Sequence, residues 1–148
     1  MTKILIGAGC FWGIEEYFRK ITGVVDTKVG YSGGYITNPS YEEVCTGTTE
    51  HVEVLKIEYN ENVITLEDII EHFWLCHDPT QLNRQGPDLG RQYRSAIFYF
   101  TEDQKLVADE SKKQKQFLLT DIIVTEILPA KEFYLAEEYH QLYISKRK

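Results

Sequence analysis

The chain has 148 residues, 43% of them hydrophobic, which predicts one domain, residues 1–148, around a single core. Its net charge is -7 and it holds no basic run, which argues against a nucleic-acid partner. No apolar stretch is long enough to predict a membrane span, and the apolar run at the start is too short for a signal peptide. We therefore expect a cytoplasmic protein, and nothing in the sequence demands more than a monomer.

Strand-like and helix-like segments alternate along the chain. Short apolar or alternating runs predict strands at 3–7, 24–31, 52–59, 95–100 and 122–128. Apolar residues at helical spacing predict helices over 13–20, from about 65, and, in a more polar form, over 102–119. Thr65 and Asp68 resemble a capping box at the start of the second helix.

Two long irregular stretches, 31–51 and 77–94, interrupt this alternation. Loops of that length in a small domain tend to carry function. Near the end of the sequence, a weak helical stripe is formed by Leu135, Tyr139, Leu142 and Tyr143. The order of elements predicts the α+β class, as a two-layer α/β sandwich of one sheet and its covering helices.

The stretch GAGCFWG, residues 7–13, places Cys10 between the end of a predicted strand and the start of a predicted helix. Backbone N–H groups at a helix N-terminus carry partial positive charge, so we expect this thiol to favour its thiolate and act as a nucleophile. The flanking glycines allow a tight turn and the close approach of a substrate. The alternative is an inert buried cysteine. Phe11 and Trp12 cannot both face the same way on a helix, so at least one should line an open site.

The other two cysteines, Cys45 and Cys76, are widely spaced, and an odd count does not resemble a disulfide framework. A helix would place His72 and Cys76 on one face, next to His77, which is a weak indication of a metal site. A structural zinc site usually draws its ligands from two spaced pairs, and the second pair is missing. We therefore expect no metal and interpret Cys76 as a small buried hydrophobic residue.

Glu53 lies in the predicted strand VEVLKIEY, where alternation puts it on the same face as Leu55, Ile57 and Tyr59. A carboxyl group on an apolar face tends to have a raised pKa and to stay protonated. An acid that works at neutral pH needs that property. The alternative is an edge carboxylate that reaches solvent at the start of the strand.

Six segments together carry a resemblance to a known family. They are GCFWG (9–13), GYSGGY (30–35), NPSYEEVCTG (38–47), HVEV (51–54), FWLCHDPTQ (73–81) and DLGRQYRSAIF (88–98). The chain resembles peptide methionine sulfoxide reductase, type A, from about residue 4 to residue 145. The resemblance implies an α/β sandwich with a ferredoxin-like core and long active-site loops. It also implies reduction of the S epimer of methionine sulfoxide, free or in proteins, and so the repair of oxidised proteins.

The resemblance assigns catalytic roles to four residues. It implies that Cys10 is the nucleophile, that Glu53 is the acid, and that Tyr41 and Tyr93 donate hydrogen bonds to the sulfoxide oxygen. The chemistry is consistent with these residue types, because a sulfoxide sulfur is open to attack only when its oxygen takes a proton. Phenols suit the donor role because they are neutral at pH 7.

The resemblance also assigns three residues to substrate binding. Phe11 and Trp12 would hold the S-methyl group, through apolar contact and some sulfur–aromatic attraction. Asp88 matches a family acid near the polar backbone of the substrate. A role for Asp88 as a turn residue only, within GPDLG, stays open.

Recycling is the point at which the sequence departs from the family pattern. Attack on the sulfoxide should leave Cys10 as a sulfenic acid, which many members resolve with cysteines in a Gly-rich C-terminal tail. This sequence has no cysteine after Cys76. Cys45 or Cys76 could serve as the resolving cysteine. We favour direct reduction by an external thiol such as thioredoxin, glutaredoxin or glutathione, without a bound cofactor.

Three other functions would use some of the same features. A cysteine hydrolase would pair Cys10 with one of four histidines, but none carries a recognisable signature, and we interpret His51 as structural. A thiol peroxidase would not need a methyl-sized aromatic site. A binding module would hold oxidised methionine segments without turning them over. Substrate preference separates these functions from one another.

Overall fold

Strands form where β-branched and aromatic residues concentrate, and those segments build the sheet. The computed structural model describes residues 2–147. Its strands are β1 (Thr2–Gly7), β2 (Val24–Ser32), β3 (Val52–Tyr59), β4 (Arg84–Gln85), β5 (Asp88–Leu89), β6 (Ala96–Tyr99), β7 (Glu126–Pro129) and β8 (Tyr134–Leu135). Its α-helices are α1 (Phe11–Phe18), α2 (Tyr41–Cys45), α3 (Leu66–Leu75), α4 (Glu102–Leu118) and α5 (Tyr143–Lys146). Two 3₁₀ turns lie at Arg91–Tyr93 and Glu138–His140.

Six strands form the main sheet in the spatial order β7-β6-β1-β3-β2-β8. β3 pairs antiparallel with both β1 and β2. The two strands of the unit β1–α1–β2 are therefore not neighbours in the sheet, and β3 lies between them. The chain then returns through α3 to β6, which pairs antiparallel with the other edge of β1. Two interleaved crossover units of this kind make a ferredoxin-like core, as expected from the resemblance. A helix-linked parallel strand, β7, extends the sheet beyond β6.

The main core lies between one face of the sheet and helices α1 and α3. Side chains alternate across a strand, so β1 and β3 each present every second residue to the helices. The buried residues on this side include Ile4, Ile6, Leu55, Ile57, Ile14, Phe18, Ile69, Ile70 and Phe73. The opposite face buries a smaller cluster, Leu5, Val52, Val54, Ala96 and Phe98, against Ala130 and Phe133. The helix side therefore holds most of the apolar burial, which is the main source of stability.

Polar side chains fix where the helices begin. The Thr65 hydroxyl accepts from the Asp68 N–H at 3.1 Å, which is half of the predicted capping box. Thr101 caps α4 in the same way, through the Gln104 N–H at 3.2 Å. Within residues 2–147, no helix is long and apolar enough to cross a membrane.

The strand predicted at 122–128 is shorter in the structure and begins only at Glu126. Its first half lies outside the sheet because its backbone bonds elsewhere: the Val124 N–H donates to the Pro79 carbonyl at 2.9 Å. Ile123 is nevertheless buried, and this burial accounts for the alternation of apolar residues in a segment that is not a strand. Alternation by itself therefore overstated the length of this strand.

Two predicted irregular regions contain short regular elements. Helix α2 lies inside the stretch 31–51 and has a full capping box, in which Ser40 and Glu43 each accept the other's backbone N–H. The residues after 133 form β8, a 3₁₀ turn and the single turn α5, where the sequence indicated one weak helix. We call residues 138–146 the C-terminal segment; it lies against α1.

Candidate active site

Cys10 lies in the turn between β1 and α1 and is the N-cap residue of that helix. The preceding Gly9 has φ of 97°, which an L side chain rarely adopts. A Cβ on Gly9 would also lie 2.8 Å from the side chain of Gln85, so the turn and its loop neighbour fit only glycine. The helix begins two residues earlier than predicted, and this places the thiol directly at the helix N-terminus.

The expectation of a resting thiolate at Cys10 is wrong. Burial raises the pKa of the thiol to about 11, although the N–H groups of Trp12 and Gly13 lower it. The negative charges of Glu53 and Asp88 raise that pKa further. Desolvation of the ionised form outweighs the donors at the helix end. Cys10 is therefore a thiol at rest, and it needs to lose its proton when the substrate is in place.

Glu53 projects from β3 toward the N-terminus of α1 and is only 1% exposed. Its Oε1 accepts the Phe11 N–H at 3.2 Å, while Oε2 is buried without a partner among the described residues. Burial raises the pKa of the carboxyl to about 8; the Phe11 N–H lowers it and the charge of Asp88 raises it. The carboxyl is thus mostly protonated at neutral pH, as its place on the apolar face of the strand predicted.

Tyr41 and Tyr93 come from different loops and meet at Glu53. Tyr41 is the first residue of α2, and Tyr93 ends the 3₁₀ turn after β5. Burial raises the pKa of both phenols, that of Tyr93 to about 12, and the charge of Glu53 raises both further. Both hydroxyls are therefore neutral donors. The charge of Cys10 also raises the pKa of Tyr93, so the structure brings the four predicted catalytic residues together.

Phe11 and Trp12 point in different directions, as expected for neighbours on a helix. Phe11 is 1% exposed and packs its ring against Tyr31, with 5.8 Å between centroids. Trp12 is half-buried and stacks on Tyr143, with 3.8 Å between centroids and 9° between planes. The Trp12 indole N–H donates to His140 Nδ1 at 2.8 Å. Phe11 is therefore part of the core, and Trp12 is the ring of the two that stays partly exposed and so available to a substrate.

The C-terminal segment supplies residues that sequence reasoning missed. His140 is fully buried, and its ring contacts those of Phe11 and Tyr41 at centroid distances of 5.2 and 4.4 Å. Just before it, Glu137 accepts from the Tyr31 hydroxyl at 2.9 Å and from the Tyr41 N–H at 3.1 Å. The weak stripe of apolar residues marked this region as packed, but it gave no sign of the site against which it packs.

Asp88 lies in the small ribbon of β4 and β5, and its side chain is half-buried. Its charge raises the pKa values of Cys10, Glu53 and Tyr93, so it faces the same site. The ribbon also carries Gln85, which packs against the turn before Cys10. The second long loop thus contributes both Asp88 and Gln85 to the surroundings of Cys10.

No histidine bonds to Cys10 in the part of the chain that the structure describes. His51 Nδ1 accepts the Gly34 N–H at 3.1 Å and its Nε2–H donates to the Ile36 carbonyl at 2.7 Å, which confirms a structural role. His77 lies between the Phe73 carbonyl and Ser95 Oγ, each at 2.7 Å. The pairing that a cysteine hydrolase requires is therefore not observed.

The two side chains near the end of α3 that sequence reasoning considered as metal ligands, His72 and Cys76, also have partners. His72 Nδ1 is 2.9 Å from the Tyr17 hydroxyl, and the Cys76 thiol donates to the Phe73 carbonyl at 3.3 Å. Across residues 2–147, no cluster of three or more His, Cys, Asp or Glu side chains could hold a metal ion. The three cysteines are free thiols.

Cys45 and Cys76 differ in their relation to the site. Cys45 is exposed at the end of α2, interacts with the Tyr41 hydroxyl, and is close enough to Glu53 for that charge to raise its pKa, after the larger effect of burial. Cys76 packs against the main core instead, and its ionisation is felt by Tyr17 on the outer side of α1. Of the two, only Cys45 borders the site.

Comparison with known proteins gives consistent matches along the chain. The family model described as peptide methionine sulfoxide reductase matches residues 2–148. A peptide methionine sulfoxide reductase MsrA of Methanothermobacter thermautotrophicus is 53% identical over 97% of this chain and 86% of its own length. The chain spans about half the length of two chloroplastic plant relatives that it also matches.

Two solved structures have the same fold. Reduced Mxr1 from Saccharomyces cerevisiae superposes with a TM-score of 0.94 at 42% identity, covering 98% of this chain and 84% of that one. Mxr1 from the same organism in complex with Trx2 superposes with a TM-score of 0.67 at 29% identity, covering 96% and 84%. The mixed fold built here from its strands and helices is therefore one that solved reductases share.

Proposed function

This chain belongs to the peptide methionine sulfoxide reductase family, and we propose that Cys10 is the nucleophile and Glu53 the proton donor of its reaction. The activity is the thiol-dependent reduction of methionine sulfoxide to methionine, which repairs oxidised proteins. We further propose that the S epimer is the one reduced, and that residues 1–148 act as one domain.

The observation that carries this assignment is the state of the Glu53 carboxyl. One oxygen is held by the Phe11 N–H, and the other is buried without a partner among the described residues. A buried oxygen without a partner costs free energy unless a ligand completes its bonding. A sulfoxide oxygen is an acceptor that would meet this need, because the carboxyl with a pKa of about 8 holds a proton at pH 7.

The chemical step balances with the groups present. The proton of Glu53 moves to the sulfoxide oxygen, which makes the sulfur electrophilic. Cys10 loses its proton to the resulting carboxylate, and its sulfur attacks the electrophilic sulfur and forms an S–S bond. The oxygen then leaves the substrate sulfur as hydroxide and bonds to the Cys10 sulfur, while the S–S bond breaks and its electron pair stays on the methionine sulfur. Cys10 is oxidised by two electrons to the sulfenic acid, methionine sulfoxide is reduced by two electrons, and methionine leaves. Glu53 ends the step protonated, as it began.

The neutral phenols of Tyr41 and Tyr93 support the same step. A hydroxyl with a raised pKa keeps its proton and can donate to the sulfoxide oxygen while that oxygen gains negative character. Trp12 would hold the S-methyl group by apolar contact. Phe11 is 1% exposed and would support this site only from the core, in which its ring is packed. Asp88 would accept a backbone N–H of the peptide substrate at the mouth of the site.

The assay that tests the activity uses a peptide with a mixture of both sulfoxide epimers and dithiothreitol as reductant. We expect the wild-type protein to consume the S epimer only, and Cys10→Ser to consume neither. Resolution of the epimers by chromatography measures both losses at once. If the wild-type protein left both epimers intact, the proposed reaction would be wrong; if Cys10→Ser remained active, the assignment of the nucleophile would be wrong.

We propose that an external thiol of the thioredoxin or glutaredoxin type, or glutathione, reduces the Cys10 sulfenic acid directly. The complex of the related Mxr1 with Trx2 supports a thioredoxin-like partner. Cys76 packs in the core rather than at the site, and Cys45, which borders the site, is already engaged by Tyr41. No bound cofactor is needed for this cycle.

The double variant Cys45→Ser/Cys76→Ser tests how the sulfenic acid is reduced. We expect it to keep multiple turnovers with thioredoxin, with a rate within about twofold of the wild-type rate, because neither thiol has a part in the cycle. Each single variant serves as the control for the other. One methionine per enzyme and no more would show that one of these cysteines resolves the sulfenic acid.

We propose that the protein acts as a monomer in the cytoplasm. The three free thiols suit a compartment in which thioredoxin and glutathione keep cysteines reduced. The four proposed catalytic residues all come from one chain, so the site is complete without a second copy. Sedimentation of the purified protein and fractionation of cells test the two statements separately.

A further inference from the structure

Glu15 is a buried carboxyl group that the reaction does not use. It lies in the second turn of α1 and is 1% exposed. Its Oε2 accepts from the Thr27 hydroxyl on β2 at 2.8 Å, and its Oε1 accepts from the Leu142 N–H at 2.6 Å. Burial raises its pKa, and these two hydrogen bonds lower it. Burying a carboxyl group costs free energy, so its two specific partners indicate what it does.

We propose that Glu15 is a positioning residue that fixes the C-terminal segment over Trp12 and thereby sets the wall against which the substrate's methyl group packs. The inference rests on the proposed function, because the methyl group is that of methionine sulfoxide. Glu15 itself does not touch the substrate; it acts through Leu142 and the residues on either side of it.

The residues on both sides of Leu142 contact Trp12. Leu142 has φ of 52°, a left-handed conformation that is uncommon for a bulky residue and that needs support from its surroundings. This turn lets both of its flanks reach the same indole. His140 accepts the indole N–H at 2.8 Å before the turn, and Tyr143 stacks on the ring at 3.8 Å after it.

Trp12 and Glu15 belong to the same helix and are three residues apart, a spacing that places two side chains on one side of a helix. The Trp12 indole and the Glu15 carboxylate therefore both face the C-terminal segment. The hydrogen bond from the Leu142 N–H to Glu15 holds the turn in place, and this position lets the rings of His140 and Tyr143 contact Trp12. Loss of that bond would free the turn to shift along α1.

A second anchor holds the same segment to the sheet. The side chain of Gln141 accepts the Val29 N–H at 3.0 Å and donates to the Val29 carbonyl at 2.9 Å. It also donates to the Ala136 carbonyl at 3.0 Å. Gln141 thus holds the segment to the backbone of β2, and Glu15 holds it to α1. The segment should therefore stay docked, but misplaced, when only Glu15 is changed.

The test compares Glu15→Met with Glu15→Gln in single turnovers, without reductant, at increasing concentrations of a methionine sulfoxide peptide. Met keeps the length of the side chain but has no strong acceptor. We expect its half-saturating concentration to rise at least fivefold while the maximal rate stays within twofold. Gln can accept from Leu142 and donate to the Thr27 hydroxyl, so it should return the half-saturating concentration to within twofold of the wild-type value.

Thr27→Val is the matched control. It removes the other partner of Glu15 with almost no change in shape and leaves the Leu142 bond intact. We expect it to lower the free energy of unfolding without moving the half-saturating concentration. A rise equal to that of Glu15→Met would assign the effect to the packing of α1 and overturn the proposal.

The indole N–H signals in a nitrogen-15 NMR spectrum give a readout that does not depend on activity. Glu15→Met should shift and broaden the Trp12 signal, while the Trp74 signal, whose N–H donates to Ser111 at 2.9 Å, stays fixed. A folded Glu15→Met protein with an unchanged Trp12 signal and an unchanged half-saturating concentration would overturn the proposal. Failure of the wild-type protein to turn over would instead count against the proposed function.

Hydrogen exchange in the wild-type protein tests the inference if Glu15→Met does not fold. One opening of the segment should free both the Leu142 amide and the Trp12 indole N–H, so we expect the two to show the same protection. A Leu142 amide that exchanges much faster than the indole N–H would show that the carboxylate does not hold the ring contacts, and would overturn the proposal.

Discussion

Cys10 and Cys76 are partly buried thiols at opposite kinds of helix end. Cys10 caps the N-terminus of α1, where burial raises its pKa to about 11 and two backbone N–H groups lower it. Cys76 caps the C-terminus of α3 and donates to the Phe73 carbonyl at 3.3 Å, and burial raises its pKa to about 12. A helix start offers donors to an ionised sulfur, whereas a helix end offers an acceptor that keeps the proton on it.

The two thiols differ more in their neighbours than in their resting pKa. Cys10 faces a protonated carboxyl group with an unpartnered oxygen, while Cys76 faces the apolar core. The role proposed for Cys10 therefore does not depend on a resting thiolate. It depends on a proton donor beside the thiol, as proposed for Glu53, and on a helix end that stabilises the charge once the proton has left.

The largest expected effect comes from removing the proton donor. Glu53→Gln should lower kcat/KM by about 10²- to 10⁴-fold, the usual range for a lost general acid. In the wild-type protein, kcat/KM should fall above pH 8, because the carboxyl with a pKa of about 8 loses its proton there. The variant should lack that fall. Glu58→Gln, on the same strand, is the control and should keep wild-type rates across the pH range.

The free energy of unfolding should also depend on pH through the Glu53 carboxyl group. The folded pKa of about 8 lies above the ordinary value of 4.5 for a glutamate, so between these pH values the folded state binds a proton that the unfolded state releases. Stability from this group is full below pH 4.5 and is lost as the pH rises through 8, by on the order of 4 to 5 kcal/mol, since one pKa unit corresponds to about 1.4 kcal/mol. Urea unfolding at pH 5 and pH 8 should show this loss in the wild-type protein. An equal loss in Glu53→Gln would assign it to other groups.

The smallest expected effect is a change in the pKa of the Cys10 thiol without a change in that of Cys76. Removal of the Glu53 charge should lower the pKa of the Cys10 thiol, since that charge raises it, and should leave Cys76 unchanged. The midpoint pH for alkylation of Cys10 by iodoacetamide should therefore fall in Glu53→Gln, by less than about one unit. Mass spectrometry of labelled peptides in a Cys45→Ser background measures both cysteines together. An equal fall in the midpoint pH for alkylation of Cys76 would contradict the difference between the two thiols.

Local patterns were sufficient to predict most of the strands, the main helices and the neutral state of Glu53, but not the order of the strands in the sheet. The strand 52–59 has regular alternation, so the face on which Glu53 lies and the direction of its pKa shift both follow from the sequence. The capping box at Ser40 was also visible as a pattern, and helix α2 could have been predicted from it.

Long-range contacts set the features that could not be predicted. Cys10 has the helix-end position that the sequence indicated, yet its pKa depends on burial by segments far along the chain. The partners of Trp12 are 128 residues or more away, and no local pattern in the last 15 residues specifies them. Tertiary contacts of this kind override local preference, since the free energy of burial is decided by the whole core.

The contact between Trp12 and the C-terminal segment has a consequence for how the enzyme becomes active. Contacts between residues so far apart in sequence form late, because closing a long loop has a high entropic cost before any contact offsets it. A partly folded chain would carry Cys10 without the stack of Trp12 and Tyr143 that we propose as the wall for the substrate's methyl group. Alkylation of Cys10 during refolding should therefore become slow only when Trp12 fluorescence reaches its final value, and reductase activity should appear in the same kinetic phase.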